Sequence, residues 1–375
     1  MRENWWENRL VSASGEVLFP RGKSTQKRAR IHPFSGGVLW YLSFAEERKY
    51  PAEGSKRISQ HPKSKRHLDS ADTRYYDETA SDSLELPQGG FLKDCRLGKT
   101  NWRGKGARDM HITEYGAEHA RTLLFLPCTA EPVWAFSATV ALLARRWHVF
   151  QVSYDGHEPA YPGDFLSVEQ TVAEIMLWLR SRGITWLDAA YGCSLGGACL
   201  TRLLALGELP VGRAIIDGGI TPYQLPFPVR RLLLARDCIG FRLVTRSRGI
   251  LEAAFPPERF TLPGHDPKAE YDALQAYFRT YSRRTVRNVL WSGNNYALPR
   301  TPAETGTKIT YWDGDDEKKD RRGNIRFIKR YVPHIRVRGI PKMAHAELVM
   351  IHPEEFCHYA DKFLLSGAGE SRGEV

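Results

Sequence analysis

Gly192-Cys193-Ser194-Leu195-Gly196 holds the residues of this chain best suited to do chemistry. The pattern G-x-S-x-G belongs to a sharp strand-to-helix turn that presents a serine hydroxyl as a nucleophile. Its glycines have a steric task, because such a turn presses backbone against backbone and a Cβ at either flank would clash. A serine hydroxyl is a weak nucleophile. It needs an imidazole to take its proton and return it to the leaving group, and a carboxylate to hold the imidazole's tautomer. It also needs backbone N–H groups to meet the developing oxyanion. The N–H of Leu195, directly after the serine, is the first candidate donor. Histidine suits the proton transfer because its ordinary pKa lies near neutrality, and the chain has 12 histidines to choose from.

The elements needed to hold such a turn can be read on both sides of it. Trp186 to Tyr191 can form a short buried strand, and Leu195 to Leu206, rich in Leu, Ala and Gly, a packed helix. Thr122 to Pro127 and Trp147 to Ser153 are apolar runs with the length of interior parallel strands. Val133 to Arg145 between them reads as a helix. Ser167-Val168-Glu169-Gln170 has capping-box spacing. Val168, Val172, Ile175, Met176 and Leu179 then share one helical face before Gly183 stops the run. Ala214 to Asp217 and Lys308 to Trp312 read as later strands, and Met110 to Gly116 as an opening one. This alternation predicts an α/β fold with a mainly parallel, doubly wound sheet covered on both faces.

With the serine turn in that setting, the chain resembles the α/β-hydrolase family over roughly residues 110–368. Members of that family place an acid after a late strand and a histidine near the C-terminus, in the order Ser, Asp/Glu, His. Tyr311-Trp312-Asp313-Gly314-Asp315-Asp316-Glu317 resembles the acid loop, Met343-Ala344-His345-Ala346-Glu347-Leu348 the histidine loop, and Pro353-Glu354-Glu355-Phe356 the start of the last helix. The resemblance implies catalysis by Ser194, His345 and an acid. Glu317 fits the G-x-x-acid spacing, Asp316 fits a shortened loop, and Asp315, or Asp217 on the earlier strand, are further positions. The resemblance also places a second oxyanion donor in the loop Pro127-Cys128-Thr129-Ala130, at Cys128 or Thr129. That loop departs from the His-Gly form common in the family. Asp155 and His157 are expected to shape the pocket rim, and Cys193 to be a small spacer.

About ninety residues separate the Asp217 strand from the Lys308 strand, too many for a plain crossover. By the resemblance, residues 220–305 form an inserted helical cap over the active site. Leu232, Leu233, Leu234, Phe241 and Leu243 are expected to line an acyl pocket there. Arg230, Arg231, Arg236 and Arg242 read as a solvated helix face, or as a contact for an anionic substrate or lipid surface.

Charge divides the chain. Residues 1–109 carry 21 Lys and Arg against 14 Asp and Glu, which is seven of the formal net charge of +11. They show no sustained apolar period, so they read as a basic extension of low order without a core of its own. A nucleic-acid or anionic-surface arm is the other reading, and a start set upstream of the natural Met110 a third. The extension is expected to be dispensable to a hydrolase domain spanning 110–370.

No charged leader with an apolar core and no long apolar span is visible. The six cysteines lack zinc-like spacing. No phosphate loop, metal-binding histidine pair or dinucleotide fingerprint is present. The expectation is a cytoplasmic, cofactor-independent and metal-free serine hydrolase of a small acyl substrate (ester, thioester or amide), with nucleic acid not its partner. The alternatives are a hydrolase-like binding or sensing protein with little turnover, and an adaptor that binds anionic ligands through the basic arm.

Overall fold

The computed structural model describes residues 111–161, 163–222 and 225–366, together with two short strands, β1 (Glu16–Val17) and β2 (Ala29–Arg30), that pair antiparallel with each other. Apart from those four residues, the expectation for residues 1–109 lies outside the described ones.

Seven strands build one sheet: β3 (His111–Tyr115), β4 (Thr122–Leu126), β5 (His148–Ser153), β6 (Leu187–Cys193), β7 (Val211–Asp217), β8 (Lys308–Gly314) and β9 (Arg336–Ile340). Their order is β3-β5-β4-β6-β7-β8-β9. Every pairing is parallel except β3 with β5, where Ile112 faces Val152. Alternation along the strands supplies both sides of the sheet. On β4, Leu124 and Leu126 join one core with Val172 and Leu179 of α2 (Val168–Ser181), Leu200 and Leu203 of α3 (Leu195–Leu206), and Ile328 of α9 (Arg322–Tyr331). Leu123 and Phe125 join the opposite core with Val140 and Leu143 of α1 (Ser137–Leu143) and Phe356 and Ala360 of α11 (Pro353–Leu364). Each such buried Val, Leu, Ile or Phe side chain contributes about 1.5–3 kcal/mol relative to exposure.

Local signals set several boundaries. Ser167 Oγ accepts the N–H of Gln170 at 3.2 Å and starts α2. Gly207, at φ 64°, ends α3 in the left-handed conformation that favours glycine. The expected helix from Val133 to Arg145 is shorter and broken: a 3-10 turn, Val133–Phe136, leads into α1. Strand β9 had no apolar run to announce it, since Arg336-Val337-Arg338-Gly339-Ile340 is a basic edge strand.

Among the described residues, five helices lie between β7 and β8: α4 (Phe227–Arg246), α5 (Arg248–Ala254), α6 (Pro257–Phe260), α7 (Pro267–Thr280) and α8 (Arg283–Ser292). Helix α4 runs unbroken through Asp237 and Gly240 to Arg246, and Ser247 then caps α5. Phe241, Phe255, Phe260, Tyr271 and Phe278 cluster with Ala130 and Ala344, so the insertion rests on the loops after β4 and β9. Leu232 and Leu243 do not join that cluster. They are 71% and 45% exposed, so the expected acyl lining from these two is corrected: on α4 they stand on the face opposite Phe241.

Candidate active site

Ser194 stands between the end of β6 and the first turn of α3 with φ 55° and ψ −111°, a strained backbone for a residue with a side chain. Backbone hydrogen bonds hold it there. Its N–H donates to the Asp217 carbonyl at 2.9 Å, and its carbonyl accepts from Ala198 at 3.0 Å and Ile220 at 3.2 Å. Gly192 and Gly196 make the turn possible. A Cβ on Gly192 would lie 2.5 Å from the Gly196 carbonyl oxygen, and one on Gly196 would overlap the Leu126 carbonyl. Ser194 is buried, and its Oγ has no hydrogen-bond partner among the described residues. The Leu195 N–H opens α3, where the first-turn N–H groups have no intrahelical acceptor.

His345 lies in the loop after β9, and its ring packs on Gly218, the neighbour of the carbonyl that holds Ser194. Its Nδ1 is 2.9 Å from Glu317 Oε2. Glu317 is fully buried. Its Oε2 also accepts from Arg321 Nε at 2.7 Å, and its Oε1 from the Gly314 N–H at 3.1 Å. Burial alone would raise the Glu317 pKa, but the charges and hydrogen bonds of His345 and Arg321 outweigh it and hold the carboxyl at about 2. Burial lowers the His345 pKa, with Glu317 opposing and Arg321 adding to the decrease. Arg321 Nη2 is 3.0 Å from Nδ1 and 3.2 Å from Nε2, so it lies across the imidazole rather than on one lone pair. No hydrogen bond joins Ser194 Oγ to His345 in this structure.

The other acidic candidates face elsewhere. Asp316 is half exposed and pairs with Arg259 of α6 at 2.7 Å, while Asp315 is 3.5 Å from Lys318. Asp217 is buried and accepts the Tyr191 hydroxyl at 2.7 Å. Burial, reinforced by Glu317 and Asp313, lifts its pKa to about 7 against the opposing effect of Tyr191 and Arg321. Asp313 is also buried, and burial first, with Glu317 second, raises it to about 6.

The loop after β4 lies beside the serine turn. Cys128 and Cys193 are buried in the same core, and Tyr154 Oη donates to the Pro127 carbonyl at 2.8 Å. Thr129 Oγ1 is 2.8 Å from His157 Nε2, whose Nδ1 is 3.2 Å from the Asp155 carbonyl. Burial lowers the His157 pKa to about 4, so the ring is neutral at neutral pH. Its Nδ1–H then donates to Asp155 and its Nε2 accepts the Thr129 hydroxyl. The ring also packs edge-on against Tyr281, at the end of α7. His157 thereby braces this loop; Asp155 is half-buried.

Two arginines that sequence reading passed over organise these loops. Arg321 follows Glu317 at the i,i+4 spacing of a helical ion pair, a signal visible in the sequence. Arg259 had no such signal. It reaches from α6 to Asp316, to Glu347 Oε2 at 2.6 Å and to the Lys342 carbonyl at 2.8 Å. Glu347 in turn accepts the Ala344 N–H at 2.7 Å, which fixes the turn carrying His345. Among the described residues no cluster of three His, Cys, Asp or Glu is arranged to hold a metal ion, and no helix is long and apolar enough to cross a membrane.

The sheet order, the serine turn and the late acid and histidine loops together are those of the α/β-hydrolase fold. Solved structures with this fold superpose on the chain. An α/β-hydrolase family protein from Desulfitobacterium hafniense is 15% identical, with a TM-score of 0.52 over 68% of this chain and 100% of the other. A carboxylesterase from Nitrososphaera gargenis is 15% identical, with a TM-score of 0.53 over 70% and 96%. The enol-lactonase from Burkholderia xenovorans LB400 is also 15% identical, with a TM-score of 0.53 over 68% and 96%. No family model matches the chain and no curated protein is similar to it.

Proposed function

We propose that this protein is a serine hydrolase that cleaves an acyl ester, thioester or amide through an acyl-enzyme on Ser194. The observation that carries this reading is the strained, buried Ser194, whose hydroxyl has no partner among the described residues, set across the end of β7 from a buried Glu317–His345 pair. Strain of this kind persists only where the surroundings enforce it, and it clusters at functional sites. The carboxylesterase and the enol-lactonase among the structural neighbours act on acyl-oxygen bonds, which favours an ester or lactone.

In this mechanism Ser194 Oγ attacks the acyl carbon as His345 Nε2 takes its proton. Glu317 holds Nδ1–H and stabilises the imidazolium, and Arg321 keeps Glu317 ionised. The oxyanion is met by the Leu195 N–H and an N–H of the Cys128–Thr129 segment. Each such donor is worth about 3–4 kcal/mol of barrier. The imidazolium then protonates the leaving group, and water, deprotonated by the same nitrogen, releases the acid. Helices α4 to α8 act as a cap that narrows access and excludes water.

A fluorophosphonate probe tests this directly. It should label the full chain, and Ser194→Ala should lose both the label and the hydrolysis of short p-nitrophenyl esters. An unlabelled wild type, or equal labelling of the variant, overturns the reading. One observation favours a second reading, a binding protein with little turnover: Arg321, not Ser194, lies against His345 Nε2. That reading gains if the wild type binds acyl ligands but neither labels nor turns over.

A further inference from the structure

Helix α4 has an unusual outer face. Its buried residues Asp237, Gly240, Phe241, Val244 and Thr245 fall on one side. At helical spacing on the opposite side stand Val229, Leu232, Ile239 and Leu243, which are 40%, 71%, 57% and 45% exposed. Leu225, just before the helix, and Phe227, which packs edge-on against Trp291 of α8, are also exposed, but they lie outside this stripe. Exposed apolar side chains scattered singly need no explanation, but four in one line over about 21 Å of one helix do.

The charges beside the stripe indicate what covers it. Arg231, Arg242 and Arg246 are exposed along one flank, and none makes an ion pair among the described residues. The single acid of the helix, Asp237, is turned inward and bonded to Arg236 at 2.6 Å. The outer face is therefore apolar along its centre and cationic along its edge, with no accessible carboxylate on the helix. A second copy of the chain packed antiparallel about a two-fold axis would set this arginine edge against itself. The stripe runs along the solvent-facing side of one helix of the insertion. A protein partner would need a matching groove, whereas a fluid surface deforms around a helix. An amphipathic helix of this composition buries its apolar face at the boundary between lipid headgroups and acyl chains, with arginines on the anionic headgroups.

We propose that the outer face of α4 docks the protein on an anionic lipid surface. The inner face of the same helix carries Phe241 and Val244 into the cluster that includes Ala130 and Ala344, the neighbours of the candidate oxyanion loop and of His345. Docking thus presents the proposed cap, and the site beneath it, to acyl substrates held in that surface. That consequence rests on the hydrolase reading, whereas the docking does not.

Sedimentation of the full chain with extruded vesicles separates the two. Wild type should bind vesicles of mixed phosphatidylglycerol and phosphatidylcholine, bind pure phosphatidylcholine far more weakly, and release as salt is raised. Leu232→Asp with Ile239→Asp should weaken binding at least tenfold. Arg231→Gln, Arg242→Gln and Arg246→Gln should each weaken it by about fivefold, and only on anionic vesicles. All these positions are exposed, so melting temperature and turnover of a soluble ester should stay at the wild-type level. Vesicle binding that the aspartates leave undiminished, or no binding by wild type, overturns the proposal. So does a concentration-dependent dimer that the aspartates dissociate, which would assign the face to a second copy. Vesicle binding without any esterase activity would uphold the docking and remove only the hydrolase reading.

Discussion

Gly218→Ala tests whether the Glu317–His345 pair is the working part of the site. Gly218 has φ +52°, and a Cβ there would lie 2.5 Å from both Cε1 and Nδ1 of His345 and 3.2 Å from Glu317 Oε1. Ordinary contact begins near 3.4 Å, so the ring must retreat by about 1 Å. Nothing behind the imidazole is soft: Arg321 already stands 3.0 Å from Nδ1, and Glu317 is fully buried. A displacement of about 1 Å in a catalytic base costs about 100-fold in turnover, or about 2.7 kcal/mol of barrier. Alanine at positive φ adds about 1–2 kcal/mol of native-state strain. At about 2–4 °C per kcal/mol, that lowers the melting temperature by about 2–8 °C. Hydrolysis of p-nitrophenyl acetate and a thermal melt on the same preparation measure both. Gly249→Ala is the control, because its Cβ would have no atom within 4 Å, and it should change neither by much. Folded Gly218→Ala protein with turnover within about threefold of wild type would refute the assignment of His345 as the base.

Glu317→Gln and Asp316→Asn should behave in opposite ways. Glu317→Gln leaves Arg321 buried without its counter-charge, so stability falls by about 3–5 kcal/mol in urea unfolding, and turnover falls by several orders of magnitude. Asp316 is half exposed and shares Arg259 with Glu347, so Asp316→Asn should leave turnover nearly unchanged; the reverse result would move the acid to Asp316. Asp217→Asn tests a buried carboxyl outside the pair. Because folding raises its pKa from 3.8 to about 7, its contribution to stability is full below 3.8 and is lost as pH rises through about 7. The melting temperature of Asp217→Asn relative to wild type should therefore rise between pH 5 and pH 8, with turnover retained. A pH-independent difference would show that Asp217 keeps an ordinary pKa.

The serine turn and the elements around it were legible because their causes are local. Gly192 and Gly196 are required by contacts within a few residues or with the adjacent strand, and the capping of α2 by Ser167 is satisfied three residues on. Apolar runs and helical faces report burial directly, so β4 to β8 and α2 and α3 could be read as a covered parallel sheet, which the structure has. Edge strand β9, with its alternating arginines, lacked that signal.

What the chain alone determined is the order of the chemistry-bearing residues and the kind of strand end each one follows, since periodicity and glycine sterics are short-range. Which acid meets His345 is not short-range. Glu317, Asp316 and Asp315 differ by one or two positions, and their environments are set by Arg321, Arg259 and Lys318 and by where the acid loop packs on the histidine loop. The direction in which α4 faces was likewise beyond the sequence. Leucines at 232, 233 and 234 offer apolar surface on more than one side, and only the packing of Phe241 against Phe278 and Tyr281 turns Leu232 outward. Burial of a charge, and exposure of an apolar face, depend on what the rest of the fold brings alongside, and that is decided in three dimensions.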